Sequence, residues 1–456
     1  MSRVPVKPTL ASPPSSASAT LTRLPLACEL PAADVLRRLA ARDPMPFALT
    51  GSWAGGGAIV GSDPLRIAEH SEDPFALLDA VPPVDAAAPG APDAVGGGWF
   101  GWLGYRLAAR VERIPLHAHR PVALPEFHLA YYDNVLRRDA RGRWWFEALV
   151  TDGRRDALQT RLHHLRRLLS HSAMAAHAPR ASPLRLSAAA AEHHVDAVAE
   201  CRRRIAAGEI FQANICLRLQ GETDARATDL FAAALAHIDP PYGAAFTTPE
   251  GGIASLSPEL FLRRRGRGIL TGPIKGTIAR DADPARAAAA LARLRGSVKD
   301  AAEHVMIVDL MRNDLGRVCE YGTVLAPRRP TAEPHPGLWH LVSHVHGRLR
   351  PGVSDADVLR ATFPPGSVTG APKVQSLRVI ADLESAGREV YTGAIGFASP
   401  VAGLELNVAI RTLEVADGRV WLGAGGGIVA DSEPRRELEE ALTKARPIAA
   451  AVGTTV

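Results

Sequence analysis

The chain has 456 residues, 46% hydrophobic and 22% charged, with a formal net charge of +5. That length exceeds one ordinary core and predicts two domains or two intertwined halves, with the apolar share of a globular protein. The positive excess is dispersed, with no Lys/Arg block interleaved with aromatics, which argues against nucleic-acid binding; no apolar run approaches the roughly 18 residues of a membrane span.

Residues 1–20 are rich in Pro, Ser and Ala and lack the hydrophobic core of a signal peptide, so we expect a disordered tail on a cytoplasmic protein. From 21 to 168, short apolar runs broken by Gly and Pro, such as GSWAGGGAIVGS and GGGWFGWLGYRLA, predict a sheet-rich amino-terminal region. The low-complexity stretch 169–190 reads as a linker to a second region, 191–456. There, Val195, Val198 and Ile205 follow helical spacing, Gly208 is placed to end that helix, and Ile210–Leu219 reads as a strand. Gly272 to Thr277 (GPIKGT) reads as a tight apolar turn.

In KDAAEHVMIVDLMRND, Asp300 and Glu303 share a helix face, and the run Val305 to Val308 suggests burial. Residues 404–413 alternate, with Leu404, Leu406, Val408 and Ile410 on one face and Glu405, Asn407, Ala409 and Arg411 on the other, predicting one strand with a single buried face. Val420–Leu422 reads as a strand entering a loop, Gly423 to Gly427. A helix is expected after Asp431-Ser432, with Glu437 and Glu440 three apart. Strands outnumber helices and no βαβ rhythm appears, so the fold class is α+β with mostly antiparallel sheets.

Only five of the 53 basic residues are lysine: Lys7, Lys275, Lys299, Lys373 and Lys444. A lysine kept on an arginine background suggests a task that needs a deprotonatable amine, with a surface charge or phosphate contact as the alternative. Two carboxylate pairs on separate helices, if brought together, would make an oxygen-rich site suited to Mg²⁺; solvated faces with local ion pairs, such as Arg436 with Glu440, would look the same in sequence. Gly423 to Gly427 is no dinucleotide fingerprint, since Ile428 stands where glycine is needed, and PPGSVTGAPK misses the phosphate-loop spacing. Cys28, Cys201, Cys216 and Cys319 have no paired spacing and read as free, buried thiols of a reducing compartment.

The stretches GEIFQANICLRL, SLSPELFL, GPIKGT, KDAAEHVMIVDLMRNDLGRV, HLVSHVHGRL, FPPGSVTGAPK, YTGAIGF, NVAIRTLEV and GAGGGIVADSEPRRELEEALTKA run in order from about 208 to 446. Together they resemble the chorismate-utilising enzymes, most closely the branch that forms 4-amino-4-deoxychorismate. The resemblance implies two packed antiparallel sheets flanked by helices, with both halves of the chain in one core. It implies Mg²⁺ held by Glu303 and Glu440 directly and by Asp300 and Glu437 through water. Arg411, Tyr391 and the amides of Gly425 and Gly426 would bind the enolpyruvyl carboxylate, with His340 beside the ring and Thr277 also contacting substrate. Gln212 stands where water-adding members carry a lysine, and Lys275 stands where anthranilate-forming members typically carry alanine. Lys275 would then attack C2 of chorismate while Glu259 protonates the leaving C4 hydroxyl. Ammonia would come from a separate glutamine amidotransferase subunit, because no candidate glutaminase elbow surrounds any of the four cysteines. An anthranilate synthase large subunit is the open alternative, ahead of a non-catalytic chorismate-binding paralogue. Tryptophan feedback is in doubt: the chain reads LTGSWAGG (49–56) where regulated relatives carry Leu-Glu-Ser, although Pro240-Pro241-Tyr242 resembles the rest of that pocket.

Overall fold

A computed structural model describes residues 18–456 except 86–91, 116–118, 123, 171–180, 282, 297, 328, 336 and 337. The tail and linker readings fall mostly on 1–17 and 171–180, outside the described residues. At their margins, Thr20 opens the first strand and Ala188 opens a helix.

Eleven strands form one sheet and eight a second, with a further three-stranded sheet beside them. Both large sheets draw on both halves of the chain. In the first, Phe47–Gly51 pairs antiparallel with Tyr242–Thr248; in the second, Gly98–Leu103 pairs antiparallel with Ala394–Ser399. The expected α+β architecture with one shared core is what the chain adopts.

Three apolar layers hold it together. Aromatic residues fill the space between the sheets: Phe47 stacks on Phe100 of the opposing sheet at 4.5 Å and on Phe246 of its own at 5.4 Å. Helices Ala32–Arg42, Arg155–Ser170 and Pro434–Ala451 bury their apolar faces on the outside of the first sheet. Helices Pro74–Asp79, Val298–Gly316 and Asp355–Thr362 do so on the second. Local chemistry sets the ends of these elements. The Ser187 side chain accepts from Ala190 N–H to cap helix Ala188–Ala206, and Gly208, at φ +79°, follows its end.

Several local expectations need correction. The glycine run 423–427 is not a loop but the end of a ten-residue strand, Arg419–Ile428, paired throughout with Gln212–Glu222. Glycine is required there because neighbours fill the side-chain space: a Cβ on Gly423 would lie 2.4 Å from the Tyr391 ring, and one on Gly425 2.4 Å from the Ile215 carbonyl. The 404–413 pattern is not one strand. Gly403–Val408 ends early, and Arg411 sits at φ +51° in the turn before Thr412–Ala416. Its polar face is also buried: Glu405 takes Arg263 at 2.7 Å, and Asn407 donates to the Tyr242 carbonyl at 2.9 Å. Alternation reported two faces, not which of them met water.

Gly272 to Thr277 is not a tight turn. Ile274–Ala279 is a strand against Leu338–Val342, with a bulge between Lys275 and Thr277 where Gly276 takes φ +77°. Val305 is 64% exposed although Ile307 and Val308 are buried, so that helix is amphipathic rather than enclosed. Cys201 and Cys319 are buried, but Cys28 and Cys216 only partly so; all four are free. The helix after Asp431-Ser432 is capped by Glu433.

Phe47 bridges the sheets, so Phe47→Ala should destabilise the protein by about 3–5 kcal/mol, read as a fall in thermal midpoint measured with both a far-UV and a near-UV signal. A change under about 1 kcal/mol would mean that the inter-sheet layer does not couple the two halves.

Candidate functional site

The lysine strand, Ile274–Ala279, carries Lys275 against the end of the glycine strand. The side chain keeps some accessible surface, yet its ammonium is enclosed by Glu303, Glu259, Glu440 and Lys444. Burial pushes its pKa below the ordinary lysine value. The Glu303 charge opposes that shift, Lys444 reinforces it, and Glu259 and Glu440 oppose it more weakly; the net direction is down. Desolvation and the second ammonium therefore outweigh three carboxylates, and the amine is biased toward its neutral, nucleophilic form.

Glu259 follows strand Gly251–Ser257 and is 4% exposed. Burial pushes its carboxyl up to about 7, against a hydrogen bond from Ser367, the Lys275 charge, the Ile274 backbone N–H and the Arg411 charge. A carboxyl at that value can hold a proton near neutral pH and release it. Arg411 faces this group from its left-handed turn, its own pKa lowered by burial and supported by Glu259. Ser367 lies in the short 3-10 turn Gly366–Val368, which is clamped from outside. Lys373 Nζ donates to Asp314 at 2.5 Å, to the Thr362 carbonyl at 2.7 Å and to the Pro364 carbonyl at 3.1 Å, while Arg388 donates to the Val368 carbonyl at 2.8 Å.

The glycine strand, Arg419–Ile428, forms another wall. A Cβ on Gly426 would stand 3.3 Å from Glu437 Oε2, 3.6 Å from Lys444 Nζ and 4.0 Å from Glu440 Oε1. A Cβ on Gly427 would stand 2.3 Å from Gln212 Nε2 and 3.5 Å from Lys275 Nζ. The bare backbone is what lets the lysine and the carboxylates share this space. The ladder also sorts the amides. Cys216, opposite Gly425, turns its N–H away to Glu384 at 2.8 Å, and Asn214, opposite Gly427, turns its N–H to Thr369 at 2.7 Å. In an antiparallel pair these are the non-hydrogen-bonded positions, so Gly425 and Gly427 present their amides at the free edge while Gly426 is committed to Ile215. Lys444 confirms the direction by donating to the Gly425 carbonyl at 3.1 Å. Of the two amides expected to bind a carboxylate, Gly425 faces the free edge and Gly426 faces Ile215; the Gly427 amide faces the free edge as well.

The remaining expected residues fall as follows. Tyr391 is buried, its ring over Gly423 and its hydroxyl 3.7 Å from Cys216 Sγ. His340 is 1% exposed and pairs across the ladder with Thr277, whose side chain lies outside the described residues. Asp300 lies in helix Val298–Gly316, its side chain likewise outside them. Glu440 pairs with Lys444 at 2.8 Å, not with Arg436. Sequence reasoning missed Ser367, Gly427 and Lys444. The signals were present: Ser367 and Gly427 lie inside quoted motifs, and Lys444 is one of only five lysines.

The donors suit a hard cation, since Glu303, Glu437 and Glu440 offer only oxygens. The Glu440–Lys444 pair that would be displaced is half-exposed and worth about 0–1 kcal/mol. Among the described residues, however, no three His, Cys, Asp or Glu side chains are grouped so as to hold a metal ion. No helix among them is long and apolar enough to cross a membrane.

Residues 63–450 match the family described as chorismate binding enzyme. Anthranilate synthase component 1 of Streptomyces coelicolor is 39% identical over 413 residues, 86% of this chain and 80% of its own. Aminodeoxychorismate synthase component 1 of Klebsiella aerogenes is 37% identical over 357 residues, 77% of this chain and 76% of its own. Among solved structures, anthranilate synthase component I of Streptococcus pneumoniae aligns with a TM-score of 0.71 at 25% identity, over 98% of this chain and 95% of that one.

The elevated Glu259 carboxyl makes a prediction independent of activity. Its folded value, about 7, lies above the unfolded value of 4.5. The folded state therefore binds the extra proton, and stability present below pH 4.5 is lost as pH rises through 7, by about 3 kcal/mol. Glu259→Gln should accordingly gain thermal midpoint relative to the parent between pH 4.5 and 8. A pH-independent difference would contradict the environment assigned to Glu259.

Proposed function

This chain belongs to the chorismate-binding enzyme family, and within that family we propose that it converts chorismate and ammonia to 4-amino-4-deoxychorismate through a bond to Lys275. The observation that carries this reading is the enclosed, pKa-lowered Lys275 amine beside a carboxyl of pKa about 7. Nucleophile and proton donor then lie side by side, each with its pKa moved toward the form the reaction uses.

In the first half, Lys275 Nζ bonds to ring C2, the two conjugated double bonds each move one position, and the C4 hydroxyl leaves as water with the Glu259 proton. In the second, ammonia bonds to C4, the double bonds return and the C2–N bond breaks. The lysine amine leaves neutral, and the proton shed by the incoming nitrogen returns to Glu259. Two displacements replace one substitution that would expel hydroxide unaided.

Arg411, Tyr391 and the edge amides of Gly425 and Gly427 would take the enolpyruvyl carboxylate, with the guanidinium as bidentate donor. His340 and Thr277 would flank the ring. Glu303 and Glu440 would hold magnesium, aided by Glu437 and Asp300; that ion supplies charge neutralisation for the ring carboxylate against these acidic walls. Gln212 beside Gly427 offers an amide where a water-activating base would be needed for hydration at C2. A separate glutamine amidotransferase subunit would supply the ammonia, as the component 1 naming of the relatives suggests.

A second reading, formation of anthranilate, is favoured by the 39% identity to the Streptomyces coelicolor enzyme. Incubation with chorismate, Mg²⁺ and ammonium chloride separates the two. We expect 4-amino-4-deoxychorismate and no anthranilate fluorescence; anthranilate as the direct product would overturn the proposal. Lys275→Ala should lose the amination, and Glu259→Gln should slow it by roughly 10²–10⁴-fold.

A further inference from the structure

On the reading that ammonia is the second nucleophile, we propose that a cleft beside helix Ala188–Ala206 is the inlet by which ammonia reaches the reaction centre. The cleft has a volume of 150 Å³ and lies against the residue 383–386 segment. Its rim is exposed at His119, His193, Gln220 and Ser385, and its floor is the buried His194, Ala197 and Trp421 together with the partly buried Cys216.

It exists because strand Gln212–Glu222 loses its outer neighbour. Gly370–Ala371 pairs only with Gln212 and Ala213, and the next bridge on that edge is Arg185 to Gln220. Between them a side chain, Glu384, receives the Cys216 N–H at 2.8 Å. The floor therefore reaches Cys216, whose Sγ is 3.7 Å from the Tyr391 hydroxyl and which lies directly opposite Gly425. Cys216 thus stands between the cleft and Tyr391, one of the proposed substrate ligands.

The floor also has an unfilled hydrogen-bonding position. His194 is 3% exposed and bonds the Cys216 backbone through one ring nitrogen, while Nδ1 has no partner. Burial pushes this imidazole down to about 4, so it is neutral, and Nδ1 is an acceptor awaiting an N–H or O–H donor. Among the described residues, no carboxylate lines the cleft, whereas the Arg218 guanidinium does, held at 2.9 Å by Glu414. Such a lining offers no counter-charge to ammonium but accepts a hydrogen bond from neutral ammonia. On the far side of the same segment, a second space of 30 Å³, with room for a water-sized molecule, borders Tyr105, whose buried hydroxyl is also without a partner.

The test narrows the rim with Ser385→Trp and, separately, the wall with Ala386→Phe, and measures amination of chorismate with ammonium chloride as the only nitrogen source. The expected result is a rise in KM for ammonia of about tenfold, equivalent to ~1.4 kcal/mol, as the bulkier side chains narrow the passage, with the KM for chorismate and the rate at saturating ammonia unchanged. The inlet is refuted if both variants leave the ammonia KM within about twofold of the parent, or raise the chorismate KM in step with it. A parent that forms no aminated product from ammonium chloride would instead sink the proposed reaction, and the inlet with it.

Discussion

An enclosed ammonium facing three carboxylates and a second ammonium is the constraint from which the rest of the site follows. Three acids alone would hold Lys275 protonated and inert. Burial, reinforced by Lys444, reverses the sign and leaves the amine below its ordinary value. Neutralising Glu303 or Glu440 removes part of the opposing attraction and carries the amine further in the same direction. The same low-polarity surroundings hold Glu259 near 7, so one physical cause prepares both an electron pair and a proton.

Crowding charged groups this closely dictates the backbone around them. The helix Pro434–Ala451 delivers Glu437, Glu440 and Lys444 from positions three, four and seven apart, which share one face. The strand they meet has no side chains at Gly425, Gly426 and Gly427, since any would enter space occupied by Cys216, Glu437 or Gln212. No proposed catalytic, substrate-binding or metal-holding residue comes from the amino-terminal region, 21–168. That region completes both sheets instead, and the aromatic layer between them fixes the scaffold on which the site is built.

Much of this was legible in the sequence because its signals were chemical rather than periodic. Lysine scarcity singled out Lys275, and each of the two i,i+3 acid pairs contains one group, Glu303 or Glu440, that the structure brings to that amine. Periodicity did less well where burial was two-sided. The 404–413 alternation looked like a half-buried strand, yet Glu405 and Asn407 are enclosed between the sheets, and the left-handed Arg411 breaks the run. Glycine spacing suggested a loop at 423–427, where glycine instead serves close approach within a strand. The choice between the Gly425 and Gly426 amides could not be read from sequence, because it depends on which ladder positions exchange hydrogen bonds. Ser367 escaped because its role arises only when the turn held by Lys373 and Arg388 meets Glu259 across the fold.

The most direct test of the central claim is the mass of the intact protein after incubation with chorismate and Mg²⁺ in the absence of any ammonia. With no second nucleophile the reaction should halt at the amine, leaving the chain heavier by chorismate less one water. Peptide mapping should place that mass on Lys275, and it should be absent from Lys275→Ala. An unmodified chain under conditions where ammonia supports turnover, or an adduct on another residue, would contradict the account.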